Sequence, residues 1–412
     1  MRQWLLHPFG FAVMLMVALG VRLGAAYYFE QRLPAGQSFE FGDSDSYWYL
    51  GQQIAAGQPY EFRSPDARVF RMPGYPVTLA PLFWLFTPNA PPMVGRVQSA
   101  LFGVATVALV AWWAGMLFGK SAAAVAGWMA TLYPGAIAMS AFVLSEAPFC
   151  PLLVLHLVFT TLAYRSITTK HAITYSALAG GAAAAAVYMR PSWLLFLPFM
   201  AVLGLMFDAR RQRIALVAVT SAAMLAICLT PWWVRNFRVT GHFVATTLQV
   251  GISLKDGLNP LADGASDLAR AEQFHLGEPL PQDATEWHTN RRHLHEAASW
   301  AIANPVRVLQ LAGIKFLRMW NVVPNEPMFR SWSIKLGVAI AFLPLLVLGI
   351  VGLLRFSRGQ FDYWLCALPA VYFTLLHMVF VSSIRYREPA MFGLMVLAAG
   401  VLTRGKAIPC TA

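Results

Sequence analysis

The sequence predicts an all-α, polytopic transmembrane helical bundle of about ten spans, forming a single integral-membrane domain over residues 1–412. Three observations predict it. Hydrophobic residues make up 58% of the chain and charged ones only 12%, which is more apolar surface than one soluble core hides. Apolar runs approaching the roughly 20 residues that cross a bilayer recur from end to end. Basic residues recur in every second short connection, which puts them on one side of the membrane, as the charge bias of insertion favours.

In chain order, the expected spans are residues 9–29, 93–118, 122–141, 147–164, 173–189, 192–207, 214–234, 334–354, 363–381 and 389–402. The first is longer than a signal-peptide core and lacks a convincing cleavage site, so it is expected to stay as an uncleaved helix. With a cytoplasmic N-terminus, Lys120, Arg165 with Lys170, Arg210 with Arg211 and Arg213, Arg355 with Arg358, and Arg404 with Lys406 all reach the cytoplasmic side. Two long segments, 30–92 and 235–333, then face outward.

The first outer segment carries an amphipathic helix after Asp43 and an apolar run over 77–86 that is too short to cross a membrane. That run is expected to be re-entrant or interfacial, with Phe83, Trp84 and Phe86 at headgroup depth and Pro88, Pro91 and Pro92 ending it. The second has a polar middle over 257–292, then an apolar stretch over 306–320 that carries Arg307, Lys315 and Arg318. It is expected to lie along the membrane surface. The small-residue stretch of Gly180, Gly181 and Ala182 to Ala186 is a face for close helix packing.

Several classes find no support. The net charge of +12 comes from basic residues flanking apolar spans, which points to anionic lipid and phosphate-bearing partners and not to nucleic acid. Cys150, Cys228 and Cys366 fall in apolar spans and Cys410 in the short tail, so neither a disulfide nor thiol chemistry is expected. His288 and His295 share a helical face that His293 does not, which suits a solvated helix better than a zinc site. No HExxH, Walker-type or GxGxxG pattern occurs.

The chemistry concentrates at the outer ends of spans. Asp43 and Asp45, in the stretch FGDSDSYWYLGQQIAAG, share a face if extended and diverge on a helix. Carboxylates there suit a general base or a hard-cation ligand, and they equally suit helix capping. Glu146, in LSEAP, sits where an ionisable group near hydrocarbon is costly, with capping by Ser145 as the competing explanation. Arg71, Arg190, Arg235, Arg385 and Arg387 also map to outer ends, against the usual bias. Their forks suit a lipid-linked phosphate, while snorkelling explains any one of them alone.

Taken together, Asp43 with Tyr47, Leu50, Ile54 and Gly57, then RMPGYPVTLAPLF, RVQSALFG, Ser145-Glu146, YMRPSWLLFLP, PWWVRNFRVTG and IRYREPA resemble membrane glycosyltransferases of the GT-C fold. More closely, they resemble the bacterial branch related to protein O-mannosyltransferases and lipid A aminoarabinose transferases. The resemblance implies a GT-C-like first outer loop with juxtamembrane helices. It implies an enzyme of the plasma (inner) membrane that works on the outer or periplasmic face. There a sugar would pass, with inversion, from a polyprenyl-phosphate donor to a hydroxyl or amine of a lipid, glycan or protein acceptor.

By that resemblance Asp43 is the general base or orients the acceptor, and Glu146 is the acidic position between the third and fourth spans. Tyr47, Arg71 and Arg190 are substrate-binding positions, and Arg235, Asn236, Arg385, Tyr386 and Arg387 stand near the donor phosphate. Lys255 belongs to ISLKDGLNPLADG, which is similar to the family's Gly-Asn-Asn-Pro loop with Leu258 in place of an Asn. Protein O-mannosyltransferases tend to have adjacent Asp-Glu in the first loop, whereas Ser44 follows Asp43 here and the second acid is Asp45. A divalent cation held by Asp45 or Glu146 fits this pattern without being required by it. A polymerase or ligase of lipid-linked glycans is the nearest alternative. A lipid or sugar transporter, which places its charges near the midplane and often repeats its halves, is further off, as is a noncatalytic assembly factor.

Overall fold

A computed structural model of the chain describes residues 8–86, 90–276, 284–324, 329, 331–357 and 360–405. The expectations at Pro88, Arg358, Lys406 and Cys410 lie outside the described residues. Among the described residues every regular element is helical. The α-helices are α1 (Pro8–Glu30), α2 (Gly42–Ala55), α3 (Gly74–Leu85), α4 (Pro92–Phe118), α5 (Lys120–Leu132), α6 (Pro134–Met139), α7 (Glu146–Arg165), α8 (Thr169–Met189), α9 (Phe196–Phe207), α10 (Arg211–Thr240), α11 (Val250–Gly257), α12 (Leu268–Glu272), α13 (Glu286–Ala303), α14 (Pro305–Met319), α15 (Trp332–Phe356), α16 (Phe361–Val379) and α17 (Glu388–Leu402).

Seven of these, α1, α4, α7, α8, α10, α15 and α16, are long and apolar enough to cross a membrane, which makes the chain an integral membrane protein. The other three expected spans, 122–141, 192–207 and 389–402, form shorter helices. Proline explains the first. Pro134 forces Tyr133 out of the helical region, to φ −67° and ψ 121°, so α5 stops after 13 residues and α6 starts anew. Arg190 is extended in the same way before Pro191, and α9 begins only after a 3-10 turn at Pro191–Trp193. α17 has 15 residues, but its first 13 positions are buried, which makes it a central strut of the bundle.

The break at α5 is stabilised from across the bundle. The last carbonyls of a helix lack intrahelical partners, and here Arg22 of α1 donates Nη2 to Ala130 O at 2.9 Å and Nη1 to Thr131 O at 3.3 Å. A buried arginine within a span thus has a structural task. Gly119, at φ +90°, makes the tight link between α4 and α5. The small-residue face also packs as expected, Gly180 closing against the Ser221 backbone of α10, whereas Gly181 meets open space.

In the 30–92 segment, α2 packs on α3 through Tyr47, Tyr75, Leu79 and Phe83. Phe83, expected at headgroup depth, instead turns inward against Trp48, with ring centroids 4.7 Å apart. Trp84 and Phe86 are exposed, and the Trp84 indole donates to Ala55 O at 2.9 Å. Further along, α14 exposes Val306, Leu309 and Leu317, but its Lys315 is fully buried. There the ammonium donates to Gly257 O at 2.8 Å and Val379 O at 2.6 Å, stitching α14 to the ends of α11 and α16. Ion pairs among Asp43, Glu146, Arg190 and Arg385 bring the starts of α2 and α7, the end of α8 and the turn after α16 to one end of the bundle.

Candidate active site

Five charged side chains from five separate segments meet at that end. Asp43 and Glu146 supply two carboxylates from the first turns of α2 and α7. Neither helix uses these residues as caps. The N-cap of α2 is Phe41, and Ser145, although at the N-cap of α7, makes no capping bond. Arg71 comes from the loop before α3, Arg190 from the extended residue after α8, and Arg385 from the 3-10 turn Ile384–Arg387 that precedes α17.

The guanidinium groups tie the carboxylates together. Arg71 donates Nη2 to Asp43 Oδ1 at 2.6 Å, and Arg385 donates Nη2 to Asp43 Oδ2 at 3.3 Å. Arg385 also donates Nε to Glu146 Oε1, the same oxygen that Arg190 Nη1 approaches at 2.6 Å. Arg71 is fixed further by its Nε on Ser46 Oγ at 3.2 Å and its Nη1 on Gln249 Oε1 at 2.9 Å. The Tyr47 hydroxyl donates to Ser145 Oγ at 3.3 Å, and Arg190 reaches the same hydroxyl at 3.3 Å. Three guanidinium charges stand against two carboxylates, so the cluster retains one positive charge.

A cavity divides the cluster into two rows. Asp43, Arg71 and Arg385 line a cavity of about 980 Å³, and the Asp43 side chain is 38% exposed. Glu146, only 1% exposed, and Arg190 are not part of that lining and form the rear row. Tyr386 also lines the cavity, its ring stacked on His377 at 4.2 Å. Apolar side chains line it too, among them Phe29 of α1, Ile137 of α6, Phe142, and Ile334 and Val338 of α15, together with the charged Arg318 and Glu388. Electrostatics keep the front row charged. Burial works against the ionisation of Asp43, but Arg71 and Arg385 outweigh it and hold the carboxyl well below the usual carboxylate range. Burial likewise opposes the charge on Arg385, and Glu146 with Asp43 more than offsets it.

Of the residues singled out in the sequence, the structure brings Asp43, Tyr47, Arg71, Glu146, Arg190, Arg385 and Tyr386 together. It does not bring in the others. Asp45 pairs at 2.7 Å with Arg63 on an exposed face of α2, so the two carboxylates offered as cation ligands, Asp45 and Glu146, do not meet. Arg235 lies over the Trp232 and Tyr60 rings at 4.7 and 5.4 Å. It approaches the cluster only through Tyr60, whose hydroxyl donates to Arg71 O at 3.3 Å. Asn236 is buried and donates to Val244 O at 3.1 Å. Lys255 is sealed against Glu296 at 2.6 Å. Arg387 is buried away from the cavity and donates to Met319 O at 3.0 Å and Asn321 O at 2.5 Å.

Two contributors escaped the sequence reading. Ser46, one helical turn after Asp43, had a legible signal, because residues three apart share a helical face. Gln249 had none, since it meets Arg71 only through tertiary structure.

The chain shares its fold with solved membrane proteins. The apo oligosaccharyltransferase of Archaeoglobus fulgidus matches at TM-score 0.59 and 15% identity, over 96% of this chain and 50% of that one. The oligosaccharyltransferase AglB of the same organism, in complex with an inhibitory peptide and a dolichol-phosphate, matches at TM-score 0.54 and 16% identity, over 95% and 50%. ArnT of Cupriavidus metallidurans bound to undecaprenyl phosphate gives TM-score 0.45 and 16% identity, over 96% and 77%. No family model matches the chain, and no curated protein matches it. The chain spans about half the length of the oligosaccharyltransferases, and the likeness is one of fold, in agreement with the GT-C fold that the sequence motifs imply.

Proposed function

We propose that the protein is a membrane glycosyltransferase that moves a sugar from a polyprenyl-phosphate donor to an acceptor hydroxyl or amine, with inversion, on the outer face of the plasma membrane. The observation that carries this is the Asp43–Arg71–Arg385 front row in a cavity that aromatic and aliphatic side chains also line. That pairing suits a ligand with an anionic head and a hydrocarbon tail. The fold shared with AglB, described in complex with a dolichol-phosphate, agrees with it.

In this mechanism the acceptor oxygen or nitrogen attacks the anomeric carbon from the face opposite the phosphate. The bond from that carbon to the phosphate oxygen breaks, and its electron pair leaves with the phosphate. The acceptor proton passes to Asp43. Arg71 and Arg385 stabilise the charge that gathers on the leaving phosphate, while Glu146, itself paired with Arg190, holds Arg385 in place.

A carboxylate held by two arginines is a weak base, and the donor changes that. Its phosphate draws on the same guanidinium charge, so Asp43 loses counter-charge and gains basicity as the donor binds. The rear carboxylate keeps Arg385 from following the phosphate out of the site.

A screen tests the function. Purified protein in proteoliposomes is offered a panel of polyprenyl-phosphate sugars with hydroxyl- and amine-bearing lipid, glycan and peptide acceptors, and products are read by mass spectrometry. Transfer from at least one donor with release of polyprenyl phosphate is the expected result. Neither transfer nor saturable polyprenyl-phosphate binding anywhere in the panel would overturn the proposal.

A further inference from the structure

The two carboxylates of the cluster meet on one edge of a single guanidinium. Arg385 Nε faces Glu146 Oε1, and its neighbouring Nη2 faces Asp43 Oδ2 at 3.3 Å. Two anions brought this close repel each other and need a positive charge between them. A hard divalent cation bridges carboxylate oxygens in that way, completing its shell with water. Here the bridging position is filled by a side chain that is always protonated and cannot dissociate. The remaining oxygens are also engaged, Asp43 Oδ1 by Arg71 at 2.6 Å and Glu146 Oε2 by the Ser145 hydroxyl at 3.4 Å. A cation could enter only by displacing an arginine. Among the described residues no group of three or more His, Cys, Asp or Glu side chains gathers to hold one elsewhere.

We propose that the Arg385 guanidinium occupies the place of a divalent cation between Asp43 and Glu146, and that removing it converts these carboxylates into a cation site. The bridge itself is independent of the glycosyl-transfer reading. Its service to the donor phosphate rests on that reading. Arg71 stays on Asp43 Oδ1 and Arg190 on Glu146 Oε1, so loss of Arg385 leaves a pair of balanced charge in which Asp43 Oδ2 is freed and Glu146 Oε1 keeps only Arg190 as a partner.

The test is Mn²⁺ binding, followed by electron paramagnetic resonance on the full-length protein in detergent. Wild type is expected to show no Mn²⁺ site that Asp43→Asn or Glu146→Gln removes. Arg385→Ala is expected to gain one Mn²⁺ site, which disappears when Glu146→Gln is added. Arg385→Gln serves if the alanine variant is not monodisperse, and Arg385→Lys, which restores a fixed charge, is expected to gain none. A wild-type Mn²⁺ site abolished by Asp43→Asn, or no gained site in a monodisperse Arg385→Ala or Arg385→Gln protein, would overturn the proposal. A wild type that transfers no sugar while the Mn²⁺ results hold defeats the functional reading alone.

Discussion

Two charged clusters can be compared directly. One joins Asp43, Glu146, Arg71, Arg190 and Arg385, and the other joins Lys255, Glu296 and Arg292 between α11 and α13. Both are compact and well paired, with Lys255 to Glu296 at 2.6 Å and Arg292 to Glu296 at 3.0 Å. They differ in access. Lys255 and Glu296 are fully buried and absent from the wall of the large cavity, whereas Asp43, Arg71 and Arg385 form part of it. The Lys255 cluster joins one pair of helices, while the Asp43 cluster draws on segments spread from residue 43 to residue 385. Charge pairing alone therefore does not mark a site. Pairing at a cavity wall, assembled from distant segments, is what makes the Asp43 cluster the candidate.

The largest expected effect separates the two clusters outright. Glu146→Gln and Glu296→Gln each strand buried cations, so each should cost about 3–5 kcal/mol of stability, measured by thermal or denaturant unfolding in detergent. Only Glu146→Gln should also abolish sugar transfer. Equal loss of transfer in a folded Glu296→Gln protein would erase the distinction.

A narrower contrast lies within one 3-10 turn. Arg385→Gln should weaken polyprenyl-phosphate binding by roughly ten- to a hundredfold, the worth of one charged hydrogen bond, in a titration calorimetry or competition assay. Arg387→Gln should leave that affinity close to wild type and lower the melting temperature instead, because Arg387 holds the Met319 and Asn321 carbonyls.

The smallest effect concerns the α14 anchor. Burial pushes the Lys315 ammonium down to about 8 from its usual 10.5, with Asp256 opposing the shift. Between those values the unfolded chain binds a proton that the folded chain has released, so this lysine makes stability rise with pH through that window. The stability difference between wild type and Lys315→Met should therefore move in favour of wild type from pH 8 to 10. A flat difference would contradict the burial argument.

The sequence carried the membrane bundle well because long apolar runs specify helices without tertiary help. α4, expected at 93–118, runs Pro92–Phe118, and α7, expected at 147–164, runs Glu146–Arg165. It misjudged 122–141, where Pro134 divides one apolar run into two helices. For the site, charge at a span end was readable and direction was not. Asp43 and Asp45 are two positions apart on a helix of 3.6 residues per turn, so they point to nearly opposite faces. Arg385 and Arg387 diverge in the same way within a turn of three residues. Lys255 needed its partner Glu296, forty-one positions later in the chain, to be recognised as structural.

The most direct measurement is single-turnover transfer by wild type and Asp43→Asn in proteoliposomes, with polyprenyl-phosphate affinity determined on the same preparations. Asp43 is expected both to take the acceptor proton and to compete with the donor phosphate for Arg71 and Arg385. The variant should therefore lose transfer by roughly 10²- to 10⁴-fold while binding the lipid phosphate as tightly as wild type or more so. Transfer at the wild-type rate, or loss of lipid-phosphate affinity in step with loss of transfer, would contradict that role.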